Sequence, residues 1–139
     1  ACEKAGAYMV AKGEVLLTAD TVVVLDNDIM GKPHNEHEAM QMLRRLSGKT
    51  HQVITGVCLT TTERQVTFSD ITDVTFAELT DDEIKFYVEK YRPLDKAGAY
   101  GIQEWIGLAG VTAIKGSYFN VVGLPEHRVY AELKKLGAL

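Results

Sequence analysis

Asp20 is the residue whose type and position most clearly suggest chemistry, because it interrupts an apolar run from Val15 to Leu25. A carboxylate inside a buried strand costs several kcal/mol unless it is paired, hydrogen-bonded or bound to a metal. Two interpretations are equally compatible with this position. Asp20 lies either in a turn between two short strands, or at a strand break where it serves as a metal ligand or a general base.

Two lysines are candidates for binding an anion. Lys32 lies between Gly31 and Pro33, a context that predicts a rigid turn. Lys4 lies in an Ala-rich segment that predicts a helix over residues 1–12. Considered singly, each lysine fits an ordinary solvent-exposed side chain better than a ligand contact.

The segment from Asp95 to Gln103 combines a charged pair with two glycines around Tyr100. Glycine lets the backbone approach a ligand closely, and the Gln103 amide offers both a donor and an acceptor for the edge of a base. A loop that returns to the sheet explains the same segment. Gly116–Asn120 also has two interpretations, because it predicts either backbone N–H groups that hold phosphate or an ordinary Ser or Asn helix cap.

Composition and motifs exclude several classes of protein. The 15 basic and 19 acidic residues give a net charge of −4, which argues against a protein that coats nucleic acid. No apolar run reaches the roughly 20 residues that span a bilayer. The sequence has no HExxH, GxSxG, Walker A or GxGxxG pattern. Its two cysteines form no CxxC or Cys/His cluster, so we expect neither zinc nor a disulfide framework, and a cytoplasmic location fits best.

The elements that must position these residues follow the pattern of a single α/β domain over all 139 residues. Continuous apolar runs on both sides of Asp20 predict strands buried on both faces, and Asp26–Asp28 is typical of a hairpin turn. Caps, periodicity and turn residues predict further elements downstream. These are a helix over Glu36–Leu46, an antiparallel pair of strands over Gln52–Thr62 and Gln65–Leu79, a helix from Asp81 to about Lys90, a strand over Val111–Ile114 and a last helix from about Pro125 to Leu136.

Several short segments occur in an order that is more informative than any one of them. They are Glu3–Ala5, Thr18–Val23, Gly31–Pro33, Leu46–His51, Pro93–Gln103, Gly116–Tyr118 and Asn120–Pro125. This series closely resembles the Maf family of nucleoside triphosphate pyrophosphatases, also described as septum formation inhibitors. The resemblance covers essentially the whole chain.

The resemblance implies a fold and an activity. The fold is α/β and related to the inosine triphosphate pyrophosphatases, with a long twisted mixed sheet flanked by helices and a cleft between two lobes. The activity is hydrolysis of a nucleoside triphosphate to the monophosphate and pyrophosphate, assisted by Mg²⁺ or Mn²⁺. The expected substrates are dTTP and UTP, and since the family often forms dimers, a homodimer is one expected assembly.

The resemblance also assigns roles to individual residues. Asp20 matches the family's catalytic aspartate, which is expected to activate water as a general base and to lie beside the metal. Lys4 and Lys32 match its phosphate-binding lysines. Thr21 and Gln103 match positions associated with the branch that prefers thymidine and uridine triphosphates. These roles agree with the chemistry, because the negative oxygens around the attacked phosphorus must be neutralised by a metal and by lysines.

One family motif is missing from the sequence. The family opens with Ser-x-Ser-Pro-Arg-Arg, whose Ser and Arg bind phosphate, whereas this chain begins within the helix expected to hold Lys4, as a chain trimmed at its start would. The alternatives to an enzyme are a non-catalytic nucleotide-binding or cell-division regulatory module and an inactive fragment. Asp20 favours the enzyme, because a pure binder has no need for a carboxylate that repels phosphate.

Overall fold

The fold is known from a computed structural model that describes residues 13–137. Lys4 and the helix predicted over residues 1–12 lie outside the described residues. Among residues 13–137, none of the helices combines the length and the apolar character that a bilayer crossing requires.

Strands and helices alternate irregularly along the described chain. The strands are β1 (Leu16–Leu25), β2 (Asp28–Met30), β3 (Thr50–Thr60), β4 (Gln65–Phe76) and β5 (Val111–Lys115). The α-helices are α1 (Glu36–Leu46), α2 (Asp81–Tyr91), α3 (Trp105–Gly110), α4 (Tyr118–Val122) and α5 (Glu126–Lys135), and a short 3₁₀ turn spans Ala97–Ala99.

The five strands form one sheet in the order β2-β1-β3-β4-β5. The predicted antiparallel pair is confirmed, since β3 and β4 pair over their full length from Thr50 opposite Thr75 to Thr60 opposite Gln65. The α/β class and the long sheet flanked by helices are also confirmed. The resemblance implied a mixed sheet, whereas every strand pairing between residues 13 and 137 is antiparallel. Short turns join β1 to β2 and β3 to β4, and such turns can connect only antiparallel strands.

β1 corrects the expectation that the first strand is broken near Asp20 and buried on both faces. The strand is continuous, and Asp20 lies opposite Gly56 of β3 in an unbroken register. Asp20 is exposed, while Val23 and Leu25 near the end of the strand are buried. The backbone groups of the largely polar segment Thr18–Thr21 pair with β3 like those of their apolar neighbours. A charged side chain in the middle therefore does not end the strand.

The predicted helix boundaries follow from local capping. Asn35 accepts a hydrogen bond from the Glu38 amide at 2.8 Å at the start of α1, and α1 has the predicted bounds. The capping box of α2 is complete, with Thr80 Oγ1 accepting from the Glu83 amide at 3.1 Å and Glu83 Oε1 accepting from the Thr80 amide at 2.8 Å.

The buried apolar residues form two clusters on one face of the sheet. The larger cluster packs α1 and α2 against the sheet, and it includes Leu43, Ile84 and Phe76. The smaller cluster contains Val57 and Val129, which places α5 over the other end of β3.

Cys58 on β3 corrects one expectation from the sequence. It is buried and disulfide-bonded, whereas the spacing of the cysteines predicted no disulfide framework. Spacing along the chain does not show which residues the fold brings within bonding distance.

Candidate active site

A cavity of about 380 Å³ lies beside β1. Its walls come from β1, from Lys32 after β2, from the segment Asp95–Gln103, and from the end of α4 with Gly123. β2 pairs with β1 only from Val23 onward, whereas β3 pairs with β1 from Leu16. The cavity lies beside the middle of β1, at Ala19, Asp20, Thr21 and Val23.

Four of the five predicted site residues line this one cavity. They are Asp20, Thr21, Lys32 and Gln103. The fifth, Lys4, lies outside the described residues. The structure therefore brings together side chains from three separate parts of the sequence, while the roles assigned to them stay predictions.

Asp20 lines the cavity from the middle of β1. The sequence left Asp20 either in a turn or at a strand break, whereas the structure places it within a continuous strand and exposed. An exposed carboxylate beside a cavity is accessible to both water and substrate. The neighbouring Thr21 is held in place, because its hydroxyl lies 2.9 Å from the hydroxyl of Thr55 on β3.

The turn that carries Lys32 is attached to the segment Asp95–Gln103, which also lines the cavity. Pro33 is buried and Lys32 is exposed, so the turn is anchored on one side and open on the other. The Gly98 amide donates a hydrogen bond to the Gly31 carbonyl at 3.1 Å. This bond fixes Lys32 relative to the segment that ends in Gln103.

Gly98 allows that segment to pack against β1. Its φ is +69°, and a Cβ at this position would lie 2.9 Å from Cγ2 of Val23. Both the left-handed conformation and the close approach require glycine. The 3₁₀ turn Ala97–Ala99 therefore seats the cavity wall directly on the strand that carries Asp20.

Asp95 and Lys96 also line the cavity, although the sequence analysis assigned neither a role. Lys96 Nζ lies 3.4 Å from Asp95 Oδ1. The pair adds a second carboxylate and a second lysine to the described wall. The available signal was the charged pair at the start of a glycine-containing segment, which by itself fits many loops.

Tyr100 connects the cavity to the core. Its hydroxyl lies 2.6 Å from Nε2 of His51, which is completely buried. Burial lowers the pKa of His51 to about 4 and raises the pKa of the Tyr100 hydroxyl well above its usual range. Both groups are therefore neutral near pH 7. This contact cannot be inferred from the sequence alone, because Tyr100 is distant from His51 along the chain.

Gly116–Asn120 contains an ordinary helix cap. The Asn120 amide donates to the Ser117 hydroxyl at 3.3 Å at the start of α4. The Ser cap, one of the two predicted alternatives, therefore explains this segment, and α4 contributes Val121 and Val122 to the cavity wall.

The carboxylates of Asp20 and Asp95 fit a hard divalent cation. Mg²⁺ prefers oxygen ligands and is often held by one or two carboxylates together with substrate phosphates. Within residues 13–137, no three His, Cys, Asp or Glu side chains form a metal cluster. Two carboxylates suit an ion that shares its ligands with a phosphate.

Carboxylates, lysines and an amide around one cavity are typical of a site for a small phosphorylated molecule. Sequence comparison then assigns the family. The profile of the family described as Maf-like protein matches residues 1–136, so the chain belongs to the Maf-like proteins, and the resemblance inferred from the motifs is confirmed.

Individual relatives carry a common name. The chain is 64% identical over 138 residues to a Phocaeicola vulgatus protein named dTTP/UTP pyrophosphatase, covering 98% of this chain and 72% of that protein. It is 57% identical over 136 residues to a Bacteroides thetaiotaomicron protein of the same name, covering 96% of this chain and 70% of that protein. A Porphyromonas gingivalis protein, again of this name, is 53% identical over 138 residues, with 96% and 69% covered.

Proposed function

We propose that this chain is a nucleoside triphosphate pyrophosphatase that hydrolyses dTTP and UTP to the monophosphate and pyrophosphate. The observation that carries the proposal is the convergence of Asp20, Lys32 and Gln103 on one cavity. The names of relatives that are 64% and 57% identical support the choice of substrates. A non-catalytic binding module is not favoured, because it would gain nothing from a carboxylate facing phosphate.

Positive charge in the cavity is the first requirement of this reaction. The attacked α-phosphorus is shielded by negatively charged oxygens, and the leaving pyrophosphate gains negative charge. Lys32 and Lys96 both line the cavity and supply two cations to it. Lys4 is proposed as a further phosphate-binding lysine, as the family resemblance implies.

The reaction itself breaks the bond between the α-phosphorus and the oxygen that bridges to the β-phosphate. A water oxygen forms the new bond to phosphorus, and pyrophosphate leaves with the bridging oxygen. Asp20 is proposed to accept the proton of the attacking water as a general base. Its exposed position beside the cavity gives it access to that water.

A divalent cation, Mg²⁺ or Mn²⁺, is the proposed cofactor. Bound with the triphosphate, such an ion supplies charge neutralisation and orients the phosphate chain. Asp20 and Asp95 are the described residues that would hold it. Asp20 also carries the role of a metal ligand in the family resemblance.

Gln103 and Thr21 are proposed to select the base. The amide of Gln103 can donate to the O4 oxygen of uracil or thymine and accept from its N3–H group. Cytosine presents the reverse pattern at these atoms. Gln103 is exposed at the cavity wall, and Thr21 is fixed by its contact with Thr55.

The binding partner, the oligomeric state and the location of the chain are also part of the proposal. The partner is a nucleoside triphosphate rather than a nucleic acid polymer, in agreement with the net charge of −4. A homodimer in the cytoplasm is proposed from the family resemblance. Sedimentation velocity measures the oligomeric state directly.

The test is pyrophosphate release from dTTP, UTP, CTP, GTP, 7-methyl-GTP and ITP, with Mg²⁺ and then with Mn²⁺. We expect release from dTTP and UTP, and we expect Asp20→Asn to reduce it by roughly 100-fold or more while leaving the circular dichroism spectrum intact. Asp26→Asn is the matched control, because it makes the same change on an exposed residue with a left-handed φ of 50° that asparagine tolerates.

The Phocaeicola vulgatus relative, assayed in parallel, shows that the assay detects the reaction. Unchanged turnover in Asp20→Asn would remove Asp20 from the mechanism. Absence of release from all six triphosphates would contradict the proposed function of this chain.

A further inference from the structure

Tyr87 on α2 lies directly behind the cavity wall that carries Gln103. Its side chain is completely buried, and its hydroxyl makes two hydrogen bonds. It donates to Oε1 of Glu104 at 2.6 Å, and it accepts from the Gly101 amide at 3.0 Å. Gly101 and Glu104 stand on either side of Ile102 and Gln103, so one hydroxyl fixes both ends of this short stretch.

The direction of these bonds is set by the electrostatics. Burial, followed by the hydrogen bond to Glu104, raises the pKa of the Tyr87 hydroxyl above its usual range. The hydroxyl therefore stays protonated and donates to the carboxylate, which leaves its oxygen to accept from Gly101. The ring is also confined, because Tyr91 stacks on it at 5.2 Å between centroids and Trp105 lies at 6.5 Å.

Close packing around Gly101 extends the effect to Lys96. A Cβ on Gly101 would lie 2.6 Å from Cε of Lys96 and 2.7 Å from Oε1 of Glu104. The stem of Lys96 therefore rests on the backbone that the Tyr87 hydroxyl holds. Lys96 and Gln103 both line the cavity, whereas Tyr87 and Glu104 are not among its lining residues.

We propose that Tyr87 and Glu104 are positioning residues that hold the segment from Lys96 to Gln103 in the geometry needed to discriminate uracil and thymine from cytosine. This inference rests on the proposed function and goes beyond it, because neither residue is expected to touch the nucleotide. Discrimination between bases depends on placing a donor and an acceptor within a few tenths of an ångström. The Tyr87 hydroxyl and the Glu104 carboxylate fix the backbone on both sides of Gln103 from outside the cavity.

The test compares dTTP with dCTP in Tyr87→Phe, which keeps the stacked ring and removes the hydroxyl. We expect the preference for dTTP over dCTP in kcat/KM to fall by roughly 5- to 10-fold. This is the fold-change that corresponds to the net contribution of about one hydrogen bond. The loss should appear mainly as a higher KM for dTTP, with kcat changed by less than about threefold.

Two further variants and a control separate positioning from general damage. Glu104→Gln keeps an oxygen that accepts from Tyr87 and should retain most of the preference, whereas Glu104→Ala should lose it as Tyr87→Phe does. Tyr91→Phe removes a hydroxyl from the same helix but keeps the ring that stacks on Tyr87, and should behave as wild type. Equal losses for dTTP and dCTP, or no rescue by Glu104→Gln, would overturn the inference.

Calorimetric titration with dTTP and dCTP, without divalent metal, provides a readout that does not depend on turnover. Tyr87→Phe should narrow the ratio of the two dissociation constants by a similar factor. An unchanged ratio in an active enzyme overturns the positioning inference and leaves the proposed function standing. A narrowed ratio in a chain that releases no pyrophosphate supports the positioning inference and contradicts the proposed function. Wild type that binds neither nucleotide and releases no pyrophosphate with Mg²⁺ or Mn²⁺ contradicts both.

Discussion

At the scale of single residues, His51 shows how burial fixes a protonation state. The ring is enclosed by the edges of Phe76 and Tyr100, whose centroids lie 5.2 and 5.3 Å away. The Tyr100 hydroxyl is its hydrogen-bonding partner at Nε2. Burial disfavours the imidazolium and lowers the pKa of His51 to about 4. The residue behind the cavity wall is therefore neutral in the folded state.

This shift predicts acid destabilisation. The unfolded chain binds a proton at His51 below a pKa of 6.5, while the folded chain does not until about 4, so the stabilising contribution is complete above about pH 6.5 and is lost as the pH falls toward 4. We expect the free energy of unfolding to drop by roughly 2–3 kcal/mol from this group between about pH 7 and pH 4.5. Urea unfolding at the two pH values measures the drop.

The matched variants are His51→Gln and His127→Gln. Glutamine at position 51 cannot take up a proton, so this part of the pH dependence should disappear. His127 is exposed on α5, and its replacement should leave the wild-type pH dependence in place. If the free energy of unfolding falls equally with pH in His51→Gln and in wild type, His51 is not the group responsible.

At the scale of secondary structure, the capping box of α2 determines where the helix that carries Tyr87 begins. Thr80 and Glu83 satisfy each other's amides, and the first helical backbone bond runs from the Ile84 amide to the Thr80 carbonyl at 3.0 Å. Ile84, Tyr87 and Val88 then form the buried face of the helix. The cap therefore contributes to the position of the residue that holds the cavity wall.

Thr80→Ala should lower the free energy of unfolding by about 1 kcal/mol, because it leaves the Glu83 amide without its acceptor. Thr80→Ser keeps the hydroxyl and should stay close to wild type. Chemical denaturation measures both. If serine and alanine destabilise equally, the loss comes from packing of the threonine methyl group and not from the cap.

At the scale of the whole molecule, Asn120 links the cavity wall to the sheet between the two apolar clusters. Its Nδ2 atom donates to the Val53 carbonyl at 3.1 Å, to the Asp70 carbonyl at 3.2 Å and to the Thr72 hydroxyl at 3.0 Å. Thr55 donates back to the Asn120 carbonyl at 3.3 Å. One completely buried amide thus attaches α4 to β3 and β4.

Asn120→Ala should destabilise the fold by roughly 2–3 kcal/mol, since it removes several buried hydrogen bonds and leaves a small void. Asn120→Asp should cost at least as much, because a carboxylate would face two carbonyl oxygens. Thr112→Ala, a change at an exposed position on β5, should remain within about 0.5 kcal/mol. Thermal and urea unfolding check all three, and a neutral Asn120→Ala would show that the attachment does not depend on the amide.

Local signals explain which elements could be predicted. The caps Asn35 and Thr80 fixed the starts of two helices, and the turn at Asp26 and Asn27, with φ of 50° and 68°, closes the predicted hairpin. The short helix α3, of 6 residues, was not predicted, and α4, of 5 residues, was predicted only as a possible helix cap. Helices of this length have too few turns for a periodic pattern and depend on tertiary packing.

The sequence by itself determined the family, the α/β class and the residue types available for chemistry at Asp20, Lys32 and Gln103. Only the tertiary structure decided that these residues share a cavity with Asp95 and Lys96, and that β1 continues through an exposed Asp20. The same holds for three contacts of the interior: Tyr87 with Glu104, His51 with Tyr100, and the disulfide of Cys58. Local propensity acts over a few neighbouring residues, whereas strand register and side-chain packing decide which distant residues meet.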